Sequence, residues 1–227
     1  MQKMRPGLKA WWSTLCLLGS TGALANPPDF MKECASLAAA ARIEVLFEDG
    51  QITRNNRLGS LELKRMSSFD ASPYHSVLGL THAKPDLAIE SSTRILTASD
   101  GRACTVPSLT VKLRFSELEV FLARDIPDEC QRRFVEAHEM EHVAIWRTHF
   151  RAGAKMIQNR MQALFSKPLF AASKTELEHD LKSQVENELR SLLSALHAGA
   201  RAANLQIDSA AAYQYANNQM MQTCPGR

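Results

Sequence analysis

The sequence shows no internal repeat, no low-complexity tract and no surplus of charge, and each absence narrows the class of protein. Without repeats, 227 residues predict one domain of ordinary size, or one domain with an appendage. A hydrophobic fraction of 45% and a charged fraction of 22% are normal for a soluble globular protein. The formal net charge of +3 is carried by Lys3, Arg5 and Lys9, so residues 26–227 are formally neutral. A formally neutral chain gives no support for a basic surface that binds polyanions, and we expect no nucleic-acid partner.

The N-terminal apolar segment is too short to span a membrane, and its pattern predicts export instead. A basic segment at residues 3–9 is followed by the apolar run Ala10–Leu18 and by the small-x-small site Ala23–Ala25. Residues 1–25 are therefore interpreted as a secretory signal peptide, cleaved after its last alanine. We expect the mature chain, residues 26–227, in the periplasm or the medium, without stable membrane insertion.

The cysteines lack the close spacing of a Cys-based metal site, which argues against that class. Cys16 falls within the signal peptide. The other four, Cys34, Cys104, Cys130 and Cys224, predict two disulfides in an oxidising compartment, with three possible pairings. We favour Cys104–Cys130, which would tie a strand to the start of a long helix, and Cys34–Cys224, which would tie the two ends. Free thiols are the alternative.

The pattern of apolar residues predicts a strand-rich first half of the mature chain. Residues 29–40 favour a short helix, and from 41 to about 124 short alternating runs predict a small, mostly antiparallel sheet. Asp49-Gly50 indicates a hairpin between the first two strands. Residues 54–74 are poorly patterned and are predicted to be mostly loop. The predicted strands are residues 43–48, 51–53, 75–80, 89–97, 109–115 and 118–123.

The second half of the chain, from about 128 to 223, is predicted to be helical. Asp128 is the expected N-cap of a helix that ends near Lys167-Pro168. Ser173, with a Glu three residues later, forms the capping-box pattern of a second helix. A third is expected to begin at Asp208 and run toward Met221. The predicted fold class is α+β, a small sheet packed on long C-terminal helices within one domain, residues 26–227.

The segment His138-Glu139-Met140-Glu141-His142 has the pattern by which one helical turn can hold zinc beside a general base. Residues four apart lie on the same face of a helix, with Cβ atoms about 5–6 Å apart. Both histidines can therefore ligate one ion at the usual Zn–N distance of about 2.0–2.1 Å. Glu139, at the edge of that face, can take a proton from a water that zinc activates. The alternative is a pair of core histidines on an ordinary amphipathic helix.

A catalytic zinc site normally has a third protein ligand, and the motif helix does not supply one. His149 lies seven residues beyond the second histidine of the motif, about 10 Å along the helix axis, which is too far for the same ion. If the two long helices form an antiparallel hairpin that turns near residue 170, His142 faces roughly residue 198. His197 is then a candidate for the third ligand on geometric grounds. Asp208, at the start of the last helix, is the other candidate.

The segment Val120–Trp146, VFLARDIPDECQRRFVEAHEMEHVAIW, resembles the bacterial family of secreted zinc-dependent proteases long catalogued as a domain of unknown function. Cys104 ahead of a strand pair and Cys130 before the motif are also similar to that family. The resemblance covers roughly residues 100–215, and only the motif is sharply specific. It implies a zincin-like fold, Zn²⁺ as cofactor, and hydrolysis of peptide bonds in a peptide or protein substrate.

The resemblance also bears on the C-terminal part of the site. Members of the family carry a Tyr-Asp segment there, where this chain has Ile207-Asp208. By that resemblance Asp208 is the first choice for the third zinc ligand, ahead of His197. The Thr-x-His-Gly that follows in the family is missing here. Tyr213 is the nearby polar aromatic and a candidate to stabilise the transition state.

Two other classes of protein stay open. The first is a non-catalytic zinc-binding envelope protein, favoured by the missing C-terminal signature. The second is a helical interaction module without metal, which would dock a partner through the apolar residues Met156, Met161, Leu164 and Phe165. For the peptidase, residues 118–123 are predicted to be an edge strand that pairs with an extended substrate.

Overall fold

The computed structural model describes residues 27–67 and 76–224, so the predicted signal peptide lies outside the described residues. Within them, helices and strands form an α+β fold, as predicted. None of the described helices is long and apolar enough to cross a membrane. In chain order the elements are α1 (Pro27–Ala40), β1 (Ile43–Glu48), β2 (Thr53–Asn55), α2 (Ser60–Met66), β3 (Gly79–Ser91), β4 (Ile95–Thr97), β5 (Ala103–Thr105), β6 (Leu109–Leu122), α3 (Glu129–Leu164), β7 (Leu169–Ala171), α4 (Lys174–Ile207) and α5 (Ala210–Thr223).

The long strand β6 is the centre of a four-stranded sheet, in which β1, β2 and β3 all pair with it. The sequence predicts two strands here because the alternation of buried residues changes phase near Ser116. Before that point the buried positions are odd-numbered, as at Val111 and Leu113, and after it they include Leu118 and Val120. A change of phase looks like a strand end in a sequence. Here the backbone continues through it.

The hairpin predicted at Asp49-Gly50 is wrong. Gly50 has a φ of 66°, so the chain does turn there, but β1 and β2 each pair with β6 rather than with each other. The β2–β6 pair is parallel, with Thr53 opposite Glu119 and Asn55 opposite Phe121. The sheet is therefore not antiparallel throughout.

The edge strand predicted at residues 118–123 is also not an edge. Residues 119–121 pair with β2, and the Ala123 N–H donates a hydrogen bond to the Leu78 carbonyl at 2.8 Å, immediately before β3. This segment has no free backbone edge to offer a substrate. Among the described strands, β3 has a single partner, β6.

A second, three-stranded sheet is antiparallel in the order β4-β5-β7. Cys104 of β5 lies opposite Leu96 of β4 on one side and Phe170 of β7 on the other. Strand β7 comes from the connection between the two long helices, so the sheets are not confined to the first half of the chain. Three residues are too few for a strand to be predicted from alternation.

Helix α2 lies inside the segment predicted to be loop. Its first residue is held by Asp125, whose carboxylate accepts hydrogen bonds from the Ser60 N–H at 2.8 Å and from its hydroxyl at 2.7 Å. Leu63 is fully buried and anchors the helix. A helix of seven residues with one buried apolar side chain is too short to show the helical periodicity by which a helix is recognised in a sequence.

The long helices begin where their caps predict. The Asp128 carboxylate accepts from the Gln131 N–H at 2.8 Å at the start of α3, and the Ser173 hydroxyl accepts from the Glu176 N–H at 3.2 Å at the start of α4. The last helix differs, since Ser209 rather than Asp208 is its N-cap. Of the four apolar residues predicted to dock a partner, Met161 of α3 and Phe165 just after it are buried and belong to the core, whereas Met156 is 43% exposed.

The described chain divides into two compact units of interleaved segments. The first contains residues 86–113, 152–195 and the described part of 1–48. The second contains residues 114–151 and the described parts of 49–85 and 196–227. In the first unit, Phe30 and Leu37 of α1 form a core with Val106. In the second, Phe115 of β6 packs on Trp146 and Phe150 of α3, with ring centroids 6.4 and 5.1 Å apart.

Two disulfides form, as expected, but both favoured pairings are wrong. The bonds are Cys34–Cys104 and Cys130–Cys224, with Cα–Cα distances of 6.0 and 5.7 Å. Cys34 pairs with Cys104 because α1 packs on β5. Cys130 pairs with Cys224 because the end of α5 lies at the start of α3. Asp128 lies beside this second disulfide, but disulfide sulfurs are not the thiolates that ligate a metal.

Candidate metal centre

Three side chains from two parts of the chain converge on one point. His138 and His142 lie one turn apart on α3, with ring centroids 4.8 Å apart. Their Nε2 atoms lie 3.2 and 3.1 Å from the same oxygen, Oδ1 of Asp208. Because Ser209 caps α5, the carboxylate of Asp208 is not used as a helix cap. The structure therefore brings together both motif histidines and the first-choice third ligand.

The side-chain amide of Asn204 determines which ring nitrogen of His142 carries a proton. The Asn204 Nδ2 donates to the Ala200 carbonyl at 2.7 Å, so its Oδ1 faces His142 Nδ1, also at 2.7 Å. An amide oxygen only accepts hydrogen bonds, so Nδ1 carries the proton. In the neutral imidazole, Nε2 is then left with a free lone pair.

Either a proton or a metal ion can complete this arrangement. Without a metal ion, a second proton on His142 Nε2 donates to Asp208 Oδ1 across the 3.1 Å separation. Burial opposes that proton, but the hydrogen bond to Asp208 and its charge outweigh burial and raise the pKa of His142. Two ligand atoms about 2.0–2.1 Å from a tetrahedral zinc ion are themselves about 3.3 Å apart. The two N–O separations of 3.1 and 3.2 Å are close to that edge length. Two imidazoles and one carboxylate are also a common donor set for zinc, so these residues fit the ion.

Glu139 lies beside this group and is held by strand β3. Its side chain is 4% exposed, and its Oε2 accepts a hydrogen bond from the Thr81 hydroxyl at 2.7 Å. One of its carboxylate oxygens and one nitrogen from each motif histidine lie within 4.8 Å of one another. Gly79, two residues before Thr81, contacts the same carboxylate. The proposed base is thus next to the ligands and is fixed from the side of the sheet.

The pKa values in the site follow from burial and from the charges that face each group. Burial raises the pKa of the Glu139 carboxyl, although the charge of His142 opposes the shift. Burial alone would also raise the pKa of Asp208, but hydrogen bonds from both histidines outweigh it and lower the pKa to about 2. Burial, with the negative charges of Asp208 and Glu139, raises the pKa of Tyr213 to about 12. Asp208 is therefore an anion, the form that ligates metal, and Tyr213 keeps its proton.

Tyr213 lies near the centre and His197 lies elsewhere. The ring of Tyr213 is 6.0 Å from that of His138. His197 packs against Trp146 with ring centroids 5.3 Å apart, and burial lowers its pKa. It is not in the hydrogen-bonded group around Asp208. His149 faces Gly199, where a Cβ would lie 3.9 Å from its Nδ1.

The helix register explains why the geometric candidate, His197, does not reach the site. A hairpin turning at residue 170 would place residue 198 opposite His142, whereas Asn204 is there. The connection between α3 and α4, residues 165–173, contains β7 and is centred at residue 169, so the position of the turn agrees with the prediction. The two helices are instead staggered, with Asn204 rather than residue 198 opposite His142. This stagger of six residues brings Asn204 and Asp208 to the motif.

Three residues of the site are missing from the sequence-based prediction. Asn204 lies four residues before Asp208, one turn back along the chain, and that spacing could have identified it. Thr81 and Gly79 come from a strand about 60 residues before the motif, and no local pattern links them to it. Their roles depend on the pairing of β3 with β6.

The chain matches no protein-family model, no curated protein and no solved structure. The resemblance to secreted zinc-dependent proteases therefore stays a prediction based on the motif and its flanking residues. The geometry of the side chains is an independent basis for a functional interpretation.

Proposed function

We propose that this chain is an exported, zinc-dependent peptidase with a zincin-like site. His138, His142 and Asp208 hold the metal ion, and Glu139 is the general base. The observation that carries the proposal is the convergence of two imidazole Nε2 atoms on one carboxylate oxygen, at 3.2 and 3.1 Å, beside a buried glutamate. Core histidines need no such shared anion, and they need no carboxylate within 4.8 Å of their ring nitrogens.

When bound, zinc supplies a Lewis acid that polarises a peptide carbonyl and acidifies water in its open coordination position. The protein residues supply the proton transfers. Glu139 accepts a proton from the attacking water and later donates it to the leaving amine. Tyr213, which keeps its proton at neutral pH, can donate a hydrogen bond to the oxygen that becomes negatively charged. Strand β3, which carries Thr81 and pairs only with β6 among the described strands, could pair with an extended peptide by strand addition.

Export is supported by the cysteine chemistry. Both disulfides join cysteines far apart in sequence, 70 and 94 residues, and such bonds persist in oxidising compartments. With the signal peptide expected at residues 1–25, they favour the periplasm or the medium as the site of action.

The first test is the metal content of residues 26–227 purified from an oxidising compartment. We expect one zinc ion per wild-type chain and none in the double variant His138→Ala/His142→Ala. Circular dichroism establishes whether the variant keeps its helices. A wild-type protein that takes up no zinc after incubation with excess Zn²⁺ and dialysis would contradict the proposal and favour a helical module without metal.

The second test separates a peptidase from a non-catalytic zinc protein. Glu139→Gln keeps the size of the side chain but removes the base, so cleavage of a quenched-fluorescence peptide library should be lost while zinc stays bound. Glu141→Gln, a matched change at an exposed position of the same helical turn, should cleave like the wild type. Zinc binding without any turnover in the wild type would favour the non-catalytic envelope protein.

A further inference from the structure

We propose that Gly79 and Thr81 of β3 form a clamp that positions the carboxylate of Glu139 for proton transfer. The inference rests on the proposed function, since it concerns the base of that reaction. Alternate residues of a strand point to the same face, so positions 79 and 81 face Glu139 together. One position provides space for the carboxylate and the other provides a hydrogen-bond donor.

Thr81 provides the donor. Its hydroxyl lies 2.7 Å from Oε2 of Glu139 and 3.1 Å from the backbone carbonyl of the same residue. A hydroxyl has one proton, so it donates to one of these two oxygens at a time. The carboxylate is 4% exposed and, as a buried anion, needs a donor. With Oε2 bound to Thr81, the lone pairs of Oε1 are left to accept a proton.

Gly79 provides the space. A Cβ at this position would overlap Oε1 of Glu139, and it would lie 2.7 Å from Cγ and 2.8 Å from Cδ. Real Cβ atoms do not approach other atoms this closely, so any side chain at position 79 must displace the carboxylate. The φ of Gly79 is not in the left-handed region, so the glycine is not needed for a turn. The contact with Glu139 is the structural reason for a glycine here.

Small displacements of a catalytic group have large effects on rate. A misplacement of about 1 Å can reduce a rate by about 10²-fold. We expect Gly79→Ala to lower kcat by about that factor, because the displaced atoms belong to the base itself. We expect Thr81→Val, which removes the donor but keeps the shape, to lower kcat about 10–100-fold, the factor for a lost hydrogen bond to a charged group. KM should change little in either variant.

The clamp can be tested without metal or substrate, by urea unfolding in the presence of a chelator. Gly79→Ala should shift the unfolding midpoint to lower urea in the wild-type background. In a Glu139→Ala background the same change should have little effect, since the overlapping atoms are gone. Equal shifts in the two backgrounds would overturn the contact that defines the clamp.

The activity test uses the zinc-loaded protein, with zinc content measured for every variant. Thr81→Ser should restore kcat toward the wild-type value, since it returns the hydroxyl, whereas a purely structural role would make Ser and Val similar. Thr110→Val makes the same chemical change in β6, outside the site, and should leave kcat unchanged. A merely destabilised fold would lower zinc content or raise KM along with the rate.

The outcomes for the clamp and for the proposed function are distinct. If the wild type binds no zinc or cleaves nothing, the peptidase proposal fails, and the unfolding measurements still decide whether the clamp exists. If the wild type is active and Glu139→Gln is inactive, but Gly79→Ala and Thr81→Val keep the wild-type kcat, the clamp is wrong and the peptidase proposal stands.

Discussion

Replacing Asn204 with Ala should weaken zinc binding while leaving the metal-free fold nearly unchanged. The Asn204 Oδ1 accepts the proton of His142 Nδ1 at 2.7 Å, and both side chains are buried. When His142 binds zinc through Nε2, its proton must stay on Nδ1. The zinc-bound form of the variant then contains a buried N–H without its acceptor.

The size of the effect follows from the difference between the two states. A buried donor left without a partner costs about 1–3 kcal/mol. In the metal-free variant, His142 can move its proton to Nε2 and donate to Asp208 Oδ1, which is 3.1 Å away. The cost therefore falls mainly on the zinc-bound form. Since about 1.4 kcal/mol corresponds to a tenfold change, zinc affinity should fall about 10–100-fold, as is typical when the partner of a ligating histidine is removed.

The assay is competition for Zn²⁺ with a chromogenic chelator, with the purified residues 26–227. Asn204→Asp keeps an acceptor and should keep most of the affinity. Leu193→Ala, on the same helix but eleven residues away (about 16 Å along the axis), should reduce stability and leave zinc affinity unchanged. If Asn204→Ala binds zinc as tightly as the wild type, His142 does not ligate through Nε2, and the deduced tautomer is wrong.

Three further predictions concern the ligand set, the transition state and the second disulfide. Asp208→Asn should weaken zinc binding more than Asn204→Ala does, because it removes the only anionic ligand of the proposed set. His197→Gln should change the affinity less than about twofold. In chelator competition, a loss of affinity in His197→Gln without one in Asp208→Asn would assign the third ligand to His197. Tyr213→Phe should lower kcat about 10²–10³-fold, as loss of a transition-state hydrogen bond does, with zinc content unchanged; a wild-type kcat would exclude that role. The double variant Cys130→Ser/Cys224→Ser should lose about 2–5 kcal/mol of unfolding free energy in urea, because the bond closes a loop across a sequence separation of 94; an unchanged midpoint would mean that the unfolded chain is not constrained by this bond.

Much of the helical half could be predicted from the sequence because its signals are local. The caps at Asp128 and Ser173 and the motif on α3 each depend on residues within one turn of one another. The same holds for β1, whose bounds agree with the prediction. Features of this kind are formed by residues close together in the sequence, so a single sequence is enough to predict them.

The rest depends on how distant segments meet. The pairing of Cys34 with Cys104 follows from the packing of α1 on β5, which no spacing indicates. The place of Asn204 opposite the motif depends on the stagger between α3 and α4, which no local pattern indicates. For Asp208, the resemblance to a protease family named the residue, and the convergence of the histidines gives it a geometric reason.

The two disulfides divide the chain into covalently closed loops, residues 34–104 and 130–224. The first loop contains Gly79 and Thr81, and the second contains the whole proposed ligand set and the base. A single cut of the backbone inside either loop leaves both ends attached to the molecule. Only a cut in residues 105–129 separates the clamp from the base, and much of that segment is the mostly buried strand β6. A protein exposed to proteases could thus be nicked once in either loop and still hold its site together until the disulfides are reduced.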